Sequence, residues 1–138
     1  MRCGWPRGLG WRNDYLCAAR DMIDYHAFAR QWEAGWNSHD LDRILSHYHA
    51  DILFHSRKAQ ALTGKGVIKG REALRAYWTA ALEAQPQLAF RIQDVFAGYN
   101  MTVISYLNHR DVLAAETFYF DADGIVTQAA ACHRLEAS

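Results

Sequence analysis

After Pro86 the apolar residues of this chain stop recurring every three or four positions and begin to alternate. A period near 3.6 belongs to a helix with one buried stripe, and a period of 2 to a strand with one buried face. The change therefore divides the chain into a mainly helical first part and a second part made of strands. "LAFRIQDVFAG" sets Leu88, Phe90 and Ile92 against Arg91 and Gln93. "MTVISYLN" and "VLAAETFYF" follow, separated by the turn "HRD", and "IVTQAAACH" comes after the turn "DADG". Connections this short favour antiparallel pairing.

Ahead of Pro86 the same reasoning predicts helices. Tyr25, Phe28, Ala29, Trp32 and Trp36 form one stripe, placing a first helix over Ile23 to Trp36. "NSHD" breaks it, with Asn37 suited to a C-terminal turn and Asp40 to a new N-cap. The second helix places Leu41, Ile44, Leu45 and Tyr48 on one face, with Asp42 complementing the dipole in its first turn. "DILFHSR", residues 51–57, alternates as a strand: Ile52, Phe54 and Ser56 face one way, and Leu53, His55 and Arg57 the other. The glycine-punctuated loop "LTGKGVIKG" leads to a third helix carrying Leu74, Tyr77, Trp78, Ala81 and Leu82. The expected fold is α+β, with one face of a curved sheet packed on three helices.

With 138 residues, of which 51% are hydrophobic and 13% aromatic, the chain suits one folded domain. Fifteen basic residues balance fifteen acidic ones, which gives no electrostatic reason to expect nucleic acid or an anionic membrane as partner. The apolar stretches fall well short of the ~20 residues that cross a bilayer. Cys3, Cys17 and Cys132 are odd in number and have no metal-binding spacing, which suits a reducing, cytoplasmic setting; Cys132 is expected to be a small buried hydrophobe. Residues 1–21, rich in glycine and arginine, lack the apolar core of a secretory signal. They are expected to be a loosely held extension, of the kind an upstream start codon would add. The domain itself is expected over residues 22–134, with a short tail at 135–138.

Three strings, "WNSHDLDRILSHYHADILF", "IKGREALRAYW" and "AAETFYFDADGIV", occur in an order and spacing that resembles the nuclear transport factor 2-like superfamily, and more narrowly its SnoaL-like branch. The resemblance covers about residues 23–133. It implies a cone-shaped antiparallel sheet (the cystatin-like form), wrapped by helices, with a ligand pocket in the cone and a dimeric assembly. The superfamily includes ketosteroid isomerases, polyketide cyclases and epoxide hydrolases, along with members that catalyse nothing, so fold alone does not assign function. Against the ketosteroid isomerases, Trp32 stands where a phenol donates to the developing oxyanion. Glu116 stands where a protonated aspartic acid does so, and Ser56 where a carboxylate shuttles the proton. The base of that mechanism is therefore absent here.

Among individual residues Glu116 is the first candidate. Alternation puts it on a strand face with Val112, Ala114, Phe118 and Phe120, where lost hydration raises a carboxyl pKa and favours the neutral, donating form. The competing reading is an ion pair with an arginine or a link to a tyrosine hydroxyl. Trp32 offers an indole N–H nearby, or simply fills the core. Tyr48, Tyr77, Trp78, Tyr106 and Phe118 are pocket-lining or core residues that would favour a flat, mainly apolar ligand. Ser56 has no triad around it and reads as a polar pocket or capping residue. His133, on the face of Ala129 and Ala131, is a candidate base, whereas His55 points to the opposite face from Ser56. His47, His49 and His55 lack the spacing of a metal site, and "GKGVIKG" lacks the ending of a phosphate-binding loop and fits a rim over the pocket mouth. The expectation is a homodimeric binder of a small apolar organic ligand. If it is an enzyme, the chemistry would be acid/base work without a cofactor on a carbonyl-type compound. A non-catalytic binding or dimerisation module, its cone filled by Phe118 and Trp78, is the alternative.

Overall fold

Asp24 opens the first helix, its carboxylate accepting the Ala27 amide at 3.0 Å; α1 then runs over Tyr25–Ser38 in the computed structural model, which describes residues 23–136. The stripe read from the sequence (Tyr25, Phe28, Ala29, Trp32 and Trp36) is buried. Asn37 does not end the helix. Its amide donates to Phe90 O at 3.0 Å and accepts from Phe90 N at 2.7 Å, while His39, in the left-handed conformation at φ 61°, makes the C-cap. Glu33 accepts the Ile92 amide at 2.7 Å, and the Tyr25 hydroxyl donates to Gly98 O at 2.9 Å. These four side-chain bonds tie α1 along strand β3 (Phe90–Gly98), an edge of the sheet whose free backbone groups would otherwise face water.

Helix α2 is shorter than its apolar rhythm predicts, ending at Leu45 (Leu41–Leu45). Tyr48, expected on its face, instead begins β1 (Tyr48–Ser56), because His47 O accepts the Val126 amide at 2.9 Å and draws the chain into the sheet. Along β1 the alternation holds, with Ile52, Phe54 and Ser56 buried. Arg57 does not extend the strand. The Ser56 hydroxyl accepts the Ala59 amide at 3.1 Å and starts a further helix, α3 (Arg57–Thr63). A short strand β2 (Val67–Lys69) pairs back onto β1, so the segment expected as a loop contains regular structure on both sides of Gly64. Helix α4 (Arg71–Ala84) packs over β1 and β2. The strands β4 (Met101–Asn108), β5 (Leu113–Phe120) and β6 (Val126–His133) follow as the alternation predicts.

The six strands form one curved, unclosed sheet in the order β2-β1-β6-β5-β4-β3. All neighbours are antiparallel except β1 and β6, which run parallel. The architecture is the α+β, cystatin-like one expected, with α3 as an additional helix and one parallel pair inside the antiparallel run. None of the described helices is long and apolar enough to cross a bilayer. Cys132 is exposed rather than buried. On β6 it alternates with Ala131 and His133 and falls on the outer face of the sheet, so period 2 overrules the usual preference of cysteine for the core. The expected extension, residues 1–21, and residues 137–138 of the expected tail lie outside the described residues.

Candidate functional site

Strand register sets out the concave face as rows of residues. Ser56 of β1, Ala131 of β6, Glu116 of β5 and Ile104 of β4 are successive cross-strand partners. The next row toward the sheet end holds His133, Ala114, Tyr106 and Ile92, and the row behind holds Phe54, Ala129, Phe118 and Thr102. Strand β6 contributes only alanines to the middle of this face, and small side chains beside large aromatic ones leave space. A cavity of about 90 Å³ lies above them, walled by Trp36, Phe54, Trp78, Tyr106, Ser56 and Glu116. Lys58, Gln85, Asn108, His109 and His133 also line it.

Glu116 is only 4% exposed, and none of the ion pairs among the described residues includes it. Burial pushes its pKa up to about 8, although the Trp32 indole and the Tyr106 hydroxyl beside it favour the anion. Desolvation outweighs both, and Trp32 Nε1 and Glu116 Oε2 are buried without a hydrogen bond of standard geometry. At neutral pH the carboxyl is therefore mostly protonated and able to donate. The arginine ion pair that sequence reasoning held open for it does not form. Tyr106 is kept a neutral phenol by burial first and by the neighbouring Glu116 second, and the same two causes act on Tyr48.

Of the other residues singled out from the sequence, Ser56, Tyr77, Trp78, Tyr106 and His133 reach the cavity wall with Glu116. Ser56 is at the same time the cap of α3, its hydroxyl accepting the Ala59 amide, and it stands beside the Tyr77 hydroxyl. Trp32, Tyr48 and Phe118 stand in a layer behind. Trp32 stacks on Phe90 with ring centres 5.4 Å apart and meets Tyr106 edge-on at 5.0 Å. Trp78 is the aromatic hub of the wall, edge-on to Trp36 at 4.8 Å, Tyr48 at 5.3 Å and Phe54 at 5.4 Å. The surface of His133 is open to solvent at the mouth; partial burial of its ring, then Lys58 and Arg57, hold its pKa below the ordinary histidine value and keep the imidazole neutral. A neutral imidazole at a cavity mouth is a competent proton acceptor.

Sequence reasoning missed Trp36 and His109 as wall residues. Trp36 Nε1 and His109 Nδ1 are buried and have no hydrogen-bonding partner in the protein. The Trp36 signal was legible only as core periodicity, and His109 belongs to a turn whose place over the mouth depends on pairing between distant strands. Lys58 was missed because the strand was extended through Arg57. Among the described residues no three His, Cys, Asp or Glu side chains converge on a metal-sized site. The arrangement is an apolar chamber with a protonated acid, a phenol and an indole N–H at its wall and a neutral imidazole at its mouth. Such a set can bind an oxygen acceptor and move a proton.

Residues 29–137 match the family model of the SnoaL-like domain. A SnoaL-like protein of unknown function from Burkholderia thailandensis E264 is similar at 35% identity, covering 80% of this chain and 94% of that one, with a TM-score of 0.78. A cystatin-like-fold protein of unknown function from Methylobium petroleophilum PM1 shares 16% identity over 83% of this chain and 78% of its own, with a TM-score of 0.66. A candidate polyketide cyclase from Sinorhizobium meliloti shares 14% identity over 82% and 97%, with a TM-score of 0.64, a likeness of fold alone. No curated protein matches the sequence.

Proposed function

The chain belongs to the SnoaL-like domain family, and from that premise we propose that it binds a small, mainly apolar carbonyl-type compound and transfers a proton to or from it without a cofactor. The observation that carries this reading is the Glu116 carboxyl: buried, unpaired by any cation, pushed up to about 8, and set at the wall of an aromatic chamber. A structural carboxylate would be expected to have its oxygens satisfied, and Glu116 Oε2 is not. In this reading Glu116 is the acid or oxyanion donor, with Tyr106 assisting at the wall and the Trp32 indole positioning Glu116 from the layer behind. His133 is the group that accepts a proton from water or ligand, and Ser56 orients the ligand's polar end.

The homodimer belongs to the same proposal. The outer face of the sheet leaves Phe96 56%, Tyr119 45% and Leu53 36% exposed, a patch that a second copy would cover. The alternative, a binding module without catalysis, is favoured by one observation: a chamber of about 90 Å³ holds about three waters, and Trp78 and Phe118 fill much of the remaining space. A ligand would have to displace side chains to enter.

The test is a thermal-shift screen of ketones, lactones and epoxides against wild type and Glu116→Gln, followed by turnover assays on compounds that bind. The expected result is a shift with wild type, and turnover that Glu116→Gln loses while its fold stays intact. Binding with no turnover in either protein selects the non-catalytic module. Turnover unchanged in Glu116→Gln rejects the acid role.

A further inference from the structure

A second concavity lies outside the chamber, between α3, β2 and the exposed side of α4, and at about 1130 Å³ it is far larger. The chain has three lysines, Lys58, Lys65 and Lys69, and all three line this one groove. No carboxylate lines it, and no lysine takes part in an ion pair among the described residues. Between the lysines the surface is apolar. Leu62, Val67 and Ile68 contribute from one side, and Ala73, Ala76 and Ala80 from one stripe of α4. Leu62 is 71% exposed, and it adds to a contiguous apolar surface with Val67, Ile68 and the alanine stripe.

We infer that this groove is a binding site for a single-chain anionic amphiphile, its alkyl chain along the alanine stripe and Leu62, its carboxylate, sulfate or phosphate head at Lys65 and Lys69. Two features select this occupant. The apolar floor favours a hydrocarbon chain, and three lysines in the lining without a compensating carboxylate favour a negative head over a neutral or cationic one. The chain's own first 22 residues complement the groove poorly, since they carry four arginines against two aspartates. The groove shares Lys58, Tyr77, Ala81 and Gln85 with the chamber, but Leu62, Lys65, Lys69 and Ala80 belong to the groove alone. Variants of these last four therefore test the groove without touching the chamber wall, and the inference stands or falls apart from the role of Glu116.

The experiment is calorimetric titration of the full chain with dodecanoate below its micelle concentration, beside dodecyltrimethylammonium and butanoate. Saturable 1:1 binding of dodecanoate is expected, with the cationic and the short-chain probes at least about tenfold weaker. A Lys65→Glu/Lys69→Glu double variant should lose the preference for the anion, and Ala80→Trp, which blocks the floor, should lose all three; far-ultraviolet circular dichroism checks that each variant is folded. Glu116→Gln should bind dodecanoate as wild type does. Equal affinity for the anionic and cationic chains, or no binding of either, overturns the inference. So does dodecanoate binding that Glu116→Gln abolishes and the groove variants leave intact, which would move the ligand to the chamber. Binding to anionic vesicles without binding to monomeric dodecanoate overturns it in favour of a membrane surface.

Discussion

Ser56 and Glu116 stand in one cross-strand row with only Ala131 between them, which puts their backbones about 9.5 Å apart across two strand spacings. A polar group at each end of a gap floored by one methyl group is a place for a ligand to lie across. Ala131→Leu would fill that gap from below. Overpacking of this size costs about 1–3 kcal/mol, so the variant should fold, while any ligand-induced rise in melting temperature seen with wild type disappears. A ligand shift that survives in Ala131→Leu would place the ligand elsewhere.

Glu116 also makes stability depend on pH in a defined direction. Its carboxyl has an ordinary value of 4.5 and sits at about 8 in the folded protein, so between these values the unfolded chain has released the proton and the folded one has not. Unfolding is then favoured increasingly as pH rises, and the loss levels off above about 8. Glu116→Gln removes the group and should flatten that part of the curve. The variant should gain on wild type by a few kcal/mol (roughly 2–5) between pH 5 and pH 8.5, measured by urea unfolding across the range. An unchanged difference between the two proteins would mean that the carboxyl titrates normally.

The parts of this fold legible in the sequence are those whose burial is decided one element at a time. Alternation placed Ile52, Phe54 and Ser56 inward, and it put Glu116 among Ala114, Phe118 and Phe120, because a strand with one buried face shows its period locally. What escaped depends on partners far along the chain. Tyr48 fits a helical stripe as well as it fits a strand, and only the His47–Val126 bond chooses the strand. Helix α3 has seven residues and one buried side chain, Ala59, so it carries no stripe to read. The acid of the site could be picked out, since a carboxylate on an apolar face is conspicuous. Trp36 and His109 could not, because the curvature of the sheet, and not their neighbours in sequence, brings them to the wall, and Lys58 was hidden by reading the strand on through Arg57.

The clamp on the edge strand gives a stability test away from the site. Asn37 exchanges two hydrogen bonds with the Phe90 backbone. Asn37→Ala removes both and should cost about 1–2 kcal/mol. Asn37→Asp keeps the acceptor for the Phe90 amide and loses the donor, so its cost should fall between. Urea midpoints of the three proteins give the order directly; no difference between Asn37→Ala and wild type would mean that water replaces the clamp at no cost.

Gly70 positions the helix that roofs the chamber. It adopts φ 92° and ψ 148°, donates its amide to Ile52 O at 2.8 Å, and accepts the Leu74 amide at 3.1 Å to start α4. An added Cβ would meet nothing closer than Ala50 O at 3.7 Å, so the obstacle to Gly70→Ala is the backbone conformation and not space. The expected cost is about 1–3 kcal/mol. Because Trp78 and Tyr77 ride on α4, ligand binding should weaken along with stability. A variant as stable as wild type would show that the loop relaxes out of the left-handed region without moving the helix.

The outer face of the sheet carries the last test. Phe96 shares a cross-strand row with Val103, Thr117 and Ala130, and Tyr119 lies in the adjacent outward row with Met101 and Gln128. Both aromatic rings point away from the helices and are substantially exposed, so neither contributes much to the core of one copy. A specific pairing of two such faces needs about 800 Å² from each partner, which a six-stranded sheet face can supply. Phe96→Glu should therefore leave the monomer fold intact while placing a charge at the β3 end of the joint. In sedimentation velocity at micromolar concentration, wild type should run as a dimer and Phe96→Glu as a monomer. If wild type is already monomeric at high concentration, the patch serves another purpose and the assembly implied by the family resemblance does not extend to this chain.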